Sequence, residues 1–298
     1  MQITLVNKKH FITASLLVIA ILITLGLIYY RHRQIQWQEY KRQVEGQKAE
    51  EITIRIIEGW SNREIGQYLE KEGIVGATDF LKSVKNFDSS KHSFLPPEAK
   101  GDLQGFLYPD SYRLFKSLAD RAITTGDQAS KTIIAKLLDT FEKRLPDNAG
   151  QLAKKQGLTL YQSVILASII ENETGRDAAT AESKAKLEAE RRIVAGIFYN
   201  RLKANMALQS DATINYITGK NDPAPLLADL EIKSPYNTYK NRGLPPTPIG
   251  NPSLSSINAA LNPANTDYFY FLHKQPTGEP VYSKTFGEHV ANKLKYLK

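Results

Sequence analysis

The sequence predicts an α+β protein. An N-terminal single-span helix precedes a small strand–helix–helix module and a larger mixed α+β domain. Three observations predict this. His10 to Tyr30 contain no Lys, Arg, Asp or Glu. Residues 51–88 pass from a β-like alternation into two helix starts. Beyond residue 89 helical periods dominate, until the chain turns loop-rich and closes on a strand pair and a helix. The 298 residues fit about two domains, and such a chain can bury a core without disulfides or metals.

The apolar run comes first. A helix needs about 20 residues to cross a hydrocarbon core of ~30 Å. The run is long enough, and Tyr29 and Tyr30 fall where an interfacial aromatic belt would lie. A signal peptide would have a shorter apolar region of about 7–15 residues and a small-residue cleavage site. This run ends in Tyr-Tyr-Arg-His-Arg instead. The reading is a short tail (1–10), an uncleaved anchor in the lipid bilayer (11–30) and a polar stalk (31–50). Lys8 and Lys9 against Arg31, Arg33, Lys41 and Arg42 do not settle the orientation; they slightly favour the C-terminal flank inside.

Ile52–Ile57 alternates as a strand, and Glu58-Gly59 is a turn signal. Ser61 followed by Glu64 is a capping box. The helix it opens should bury Ile65, Tyr68 and Leu69 and end near Gly73. Thr78–Leu81 opens a second helix. Residues 86–102 read as loop. Gly105–Asp110 reads as an aromatic strand ending in a Pro-Asp turn. Helices follow over 122–144, 159–171 and 178–203. From Ala204 the chain is loop-rich and studded with proline. Tyr268–His273 and Pro280–Ser283 form the last strand pair.

Composition excludes several chemistries. There is no cysteine, hence no disulfide, thiol nucleophile, zinc–thiolate or iron–sulfur centre. The histidines (10, 32, 92, 273, 289) lack metal-ligand spacing, so no metal or cofactor is expected. Phosphate-loop, dinucleotide and nucleophile-elbow signatures are absent. The net charge is +8, with seven Lys/Arg against three Asp/Glu in the first fifty residues. The remainder is too weakly basic to argue for nucleic acid; it suits an anionic lipid or polymer nearby.

Two places can hold chemistry. Residues 159–171 form a helix apolar on almost every side, and Glu171 ends it beside Val164, Ala167 and Ser168. Desolvation and the negative helix end would both raise such a carboxyl, as a general acid requires. A plain helix-end charge is the competing reading. Glu173 lies about 200° further round the helix and faces elsewhere. The second place is the loop region. It holds Gln209, Asp211, Tyr236, Asn237, Thr238, Tyr239, Leu244 and Pro245. Rings beside amides and hydroxyls suit a sugar polymer, and rigid turns would hold them; a packed structural loop has the same composition. Asp110 and Asp211 are helpers or turn anchors.

At these residues the chain resembles the YceG-like family, the endolytic murein transglycosylases. The resemblance runs over about residues 50–298. It is carried by ITIRIIEGWSNREIGQYLEKEGIV, GFLYPDSY, ASIIENET, VAGIFYNRL, LQSDATINY, SPYNTY with RGLPPTPIGNPS, and AALNPANTDYFYF. It implies a LysM-like module over 51–88 and a catalytic domain over 89–298. It implies cleavage within peptidoglycan glycan strands beside the wall-synthesis machinery, with the N-terminus cytoplasmic and the catalytic domain outside. The catalytic acid would be Glu171, acting first as acid and then as base to leave 1,6-anhydro ends. The family often has Leu-Glu-Gly where this chain has Leu103-Gln104-Gly105. Gln104 is therefore read as structural or substrate-binding, and Tyr108 beside it as substrate-binding. A non-catalytic peptidoglycan-binding scaffold and a hydrolytic muramidase are the alternatives.

Overall fold

A computed structural model describes residues 22–38, 50–119, 125–175, 180–220 and 225–297. The chain divides into two compact units, Met1–Glu51 and Ile52–Lys298.

In the first unit residues 22–38 are helical (α1). Leu22, Ile23, Leu25, Leu27 and Ile28 are exposed on it. The predicted tail (1–10), half of the predicted anchor (11–21) and residues 39–49 of the stalk lie outside the described residues. Among the described residues no helix is long and apolar enough to cross a membrane.

The second unit begins with β1 (Glu51–Arg55), α2 (Asn62–Lys71) and α3 (Ala77–Lys85). The expected capping box is present: the Ser61 hydroxyl accepts from the Glu64 N–H, and the Glu64 carboxylate accepts from the Ser61 N–H at 2.7 Å. Ile65 and Leu69, one turn apart, face inward. Gly73 follows α2 at φ +70°, a left-handed conformation that glycine adopts freely.

The segment 105–110 is not a strand. Leu103 and Gly105 have φ of 53° and 91°, which breaks any extended run. A side chain at Gly105 would meet Pro248 at 2.6 Å and Val164 at 2.8 Å. The strand lies one step later, as β2 (Ser111–Phe115), and pairs with β1.

Helices follow: α4 (Gly126–Arg144), α5 (Ala149–Lys155), α6 (Leu160–Thr174) and α7 (Ala181–Lys203). In α4 Ile133, Ile134, Leu137, Leu138 and Phe141 make one inward stripe. Helix α6 is buried from Ser163 through Glu171 without a polar face; each fully buried Leu, Ile or Val contributes roughly 1.5–3 kcal/mol. The proline-rich stretch holds three short helices that composition concealed: α8 (Asp211–Thr218), α9 (Leu227–Leu230) and α10 (Leu254–Leu261). The strand pair is β3 (Tyr270–His273) and β4 (Pro280–Ser283), antiparallel, with Tyr270 opposite Ser283; α11 (Phe286–Tyr296) closes the fold.

One hydrophobic core runs through the unit. Ile54, Leu69 and Phe80 belong to the same cluster as Phe106, Phe141, Ile169 and Phe198. The boundary expected between residues 88 and 89 falls inside this compact unit.

Candidate active site

Helix α6 ends with two carboxylates that face opposite ways. Glu171 points inward and is 3% exposed. Its Oε1 accepts from Arg191 Nη2 of α7 at 2.6 Å. Its Oε2 accepts from the Ser253 N–H at 2.8 Å and from the Ser253 hydroxyl. Ser253 is the N-cap of α10. The Gly59 turn covers the site: a Cβ there would lie 3.6 Å from Glu171 Cγ. Gly250 presses on that turn so closely that its own Cβ would sit 2.1 Å from the Gly59 carbonyl oxygen. Glu171 thus ties α6, α7 and α10 together and does not line the neighbouring cleft. It lies directly beneath the Gly59 part of that cleft's wall, and as a candidate acid it stands beside Glu173. Helix periodicity rightly put it on the apolar side, and that side is the interior.

Glu173 lines the cleft, as do Glu58, Glu64 and Asp211. The cleft has a volume of about 1260 Å³ and lies between the β1–α2 turn, α8 and the C-terminal hairpin with α11. Glu173 is half-buried on its wall. Burial pushes its carboxyl above the usual glutamate value, and the Asp211 charge adds to the rise. The Ser210 hydroxyl and the Ala212 N–H donate to it and oppose the rise, as does His273.

The loop between α7 and α8 supplies the surroundings. Gln209 holds φ +48° and is exposed on the cleft. Asp211 starts α8 and accepts from the Tyr239 hydroxyl. Burial first, and then that bond to Asp211, push the Tyr239 phenol up. Arg201 lines the same cleft. Its Nε donates to the Phe269 carbonyl at 2.7 Å and its Nη1 to that of Leu208 at 2.5 Å, and its guanidinium lies 5.2 Å from the Tyr270 ring centroid. His273 Nε2 is 2.8 Å from Glu190 Oε1. Of the expected substrate-binding set, Gln209, Asp211 and Tyr239 are on the cleft.

The others are not, each for a physical reason. Gln104 is 3% exposed, and its Oε1 accepts from the Asn62 N–H at 2.8 Å, fixing the start of α2. Tyr108 is buried against Phe141. Asn237 is fully buried; its amide donates to the Leu230 and Ile232 carbonyls and shapes the loop. Thr238 is buried, its hydroxyl accepting from the Ser210 N–H. Pro245 is buried and Leu244 packs on the core. Tyr236 donates or accepts at Thr247 and packs on Tyr216, whose ring does reach the cleft. Sequence reasoning missed Glu173, Arg201, Tyr216, Tyr270 and Trp60. Only Glu173 left a signal, as the second acid of ENET on the helix side opposite Glu171.

The sequence model of the YceG-like family matches residues 28–295. An endolytic murein transglycosylase of Bacillus subtilis (strain 168) is 35% identical over 235 residues, covering 78% of this chain and 59% of that protein. A protein of the same name from Streptococcus pneumoniae serotype 2 is 32% identical over 204 residues, covering 67% of this chain and 33% of that one. The chain therefore spans well under two thirds of the length of these curated relatives. The crystal structure of a YceG-like protein from Listeria monocytogenes is similar with a TM-score of 0.65 at 28% identity, over 85% of this chain and 79% of that chain. With nearly the whole chain matched by the family's sequence model and its fold shared with a solved member, the protein belongs to the YceG-like family.

Proposed function

We propose that this protein is a membrane-anchored endolytic peptidoglycan transglycosylase. It cleaves the β-1,4 bond between the N-acetylmuramyl and N-acetylglucosaminyl residues inside nascent strands. The observation that carries the reading is Glu173: a carboxyl pushed up by burial on the wall of a long open cleft. A raised carboxyl holds its proton to higher pH than an ordinary glutamate, the direction that general-acid donation to a glycosidic oxygen needs. Glu173 protonates the leaving oxygen as the bond to C1 breaks. Its carboxylate then takes the proton from the muramyl 6-hydroxyl, whose oxygen attacks C1. The strand ends in a 1,6-anhydro sugar, no water is consumed, and the acid is regenerated. The names of the relatives support the substrate. Trp60, Arg63 and Gln67 of the β1–α2 segment line the same cleft, so the stretch expected as a LysM-like module is read as a wall that holds the glycan. The charge-free run His10–Tyr30 supports the anchor. The N-terminus is read as cytoplasmic and the catalytic unit as lying outside, where wall synthesis proceeds.

A second reading rests on Asp211. It is a second carboxylate on the same wall, and Glu173 feels its charge. With Asp211 as base toward a water molecule, the cleft would hydrolyse the bond as a muramidase. One experiment separates these readings. Peptidoglycan is digested with wild type, Glu173→Gln and Glu171→Gln, and the fragments are weighed. Anhydro ends from wild type and none from Glu173→Gln are expected. Ends heavier by one water would give the case to hydrolysis. Undiminished cleavage by Glu173→Gln, with none from a folded Glu171→Gln, would assign the acid to Glu171, the residue that the family resemblance implies. No new ends from wild type that still binds the strands would leave a scaffold.

A further inference from the structure

Helix α11 is an eleven-residue helix with no buried side chain. It is held at its start by a capping box between Thr285 and Glu288, and along its length by His289 stacked on Tyr270 at 5.2 Å. Phe286, Val290 and Leu297 are 64%, 39% and 39% exposed. They are spaced at one and two helical turns, so they form one stripe. Phe286, Val290, Lys293 and Leu297 line the same cleft as Glu173.

The link to the acid is short. Tyr270 touches Phe286 with ring centroids 5.9 Å apart, and the Arg201 guanidinium lies 5.2 Å from the centroid of the same Tyr270 ring. Arg201 in turn feels the charge of Glu173. An apolar wall therefore begins one ring away from the neighbour of the acid. Lys293 stands on that wall, and Arg63 stands on the β1–α2 side of the cleft. Among the described residues neither is paired with a carboxylate.

We propose that the α11 face receives the peptide stem that a muramyl residue carries on its lactyl group. The proposal rests on the peptidoglycan reading above and deepens it. A glycan is polar and gains little from Phe286, Val290 and Leu297. A stem carries methyl side chains and free carboxylates, which match an apolar stripe edged by Lys293. A bilayer is flat and cannot enter a cleft. Whatever covers this face must lie beside the strand being cut, and the stem is the part of the strand with that chemistry. The consequence is selectivity: strands with stems are held, and stripped strands are not.

The test uses the full chain in detergent, carrying Glu173→Gln so that strands bind without turnover. The probes are soluble uncrosslinked glycan strands with stems, and the same strands after amidase has removed them. The stem-bearing strand should bind about tenfold more tightly. Adding Lys293→Gln and Val290→Ser should abolish most of that difference and leave the Kd for the stripped strand within about twofold. Equal affinity for the two strands before those changes would overturn the proposal. A parallel loss of affinity for both strands after them would do the same. Phosphatidylglycerol vesicles form a second arm: if the α11 changes weaken vesicle binding and spare stem-dependent binding, the face belongs to lipid and the proposal fails. Cleavage of the stem-bearing strand by wild type is read separately by mass. Stem-dependent binding without cleavage would sink the transglycosylase reading and leave this one standing.

Discussion

Glu171 and Glu173 are two residues apart on one helix, and a rotation of about 200° gives them opposite surroundings. Glu171 is locked by Arg191 and Ser253 in the interior. Removing its charge leaves a buried guanidinium without its partner, which costs about 3–5 kcal/mol. Glu171→Gln should therefore lower the denaturant midpoint sharply, and any lost activity should follow the lost folded fraction. Glu173 behaves in the opposite sense. Its pKa is raised in the fold, so its contribution to stability is full below the unfolded glutamate value and is lost as pH rises through the folded value. Glu173→Gln should melt near wild type in acid and above it at alkaline pH; a lower Tm at every pH would contradict this. If Glu173 is the acid, as proposed, kcat/KM should fall on the alkaline side as it ionises. Asp211 pushes Glu173 up, so Asp211→Asn should move that alkaline limb to lower pH. A limb that stays in place would show that the two carboxylates do not communicate. The burial of Glu171 was legible in the sequence because helix periodicity is local. Its partners, 20 and 82 residues away, were not.

At the scale of elements, three distant segments meet on one side chain. Asn251 is fully buried. Its Oδ1 accepts from the Gly105 and Leu107 N–H groups, each at 2.9 Å. Its Nδ2 donates to the Trp60 carbonyl at 2.9 Å and to Asn62 Oδ1 at 3.2 Å. This explains why 105–110 is irregular: its N–H groups turn inward to an amide instead of outward to a strand. Asn251→Ala would orphan both N–H groups at about 1–3 kcal/mol each. Urea unfolding should show a loss of at least about 2 kcal/mol. A loss below half a unit on that scale would mean water replaces the amide. The long helices were legible because caps and 3.6-residue periods are written locally: the box at Ser61 stands where expected, and a box at Thr159 opens α6 in the same way. Helices α8 and α10 were not, since eight residues give too few turns for a period to emerge. The Asn251 junction is invisible because nothing in a lone asparagine announces partners almost two hundred residues away.

At the scale of the whole molecule, the segment 51–88 decides how the chain divides. If it were a separate module, residues 89–298 would fold alone. The structure argues for one folding unit. Strand β1 pairs with β2, so cutting at residue 89 strips β2 of its sheet partner. Ile54, Ile56, Leu69 and Phe80 share the core of the later helices, so the cut uncovers that core. The Asn62–Gln104 and Asn251–Trp60 bonds cross the same line, so it also orphans buried amides. Each loss is of the size of a domain's entire margin when summed over several groups, since that margin is about 5–15 kcal/mol. A chain of residues 50–298 should unfold in one transition, at the midpoint of the full chain, and should no longer sediment with membranes. A chain of residues 89–298 should give no cooperative transition and no strand binding. A sharp transition from the shorter chain would establish an independent catalytic domain. The wall formed by Trp60 and Arg63 would then be an appended part of the cleft, where the present fold makes it as integral as the helix that carries Glu173.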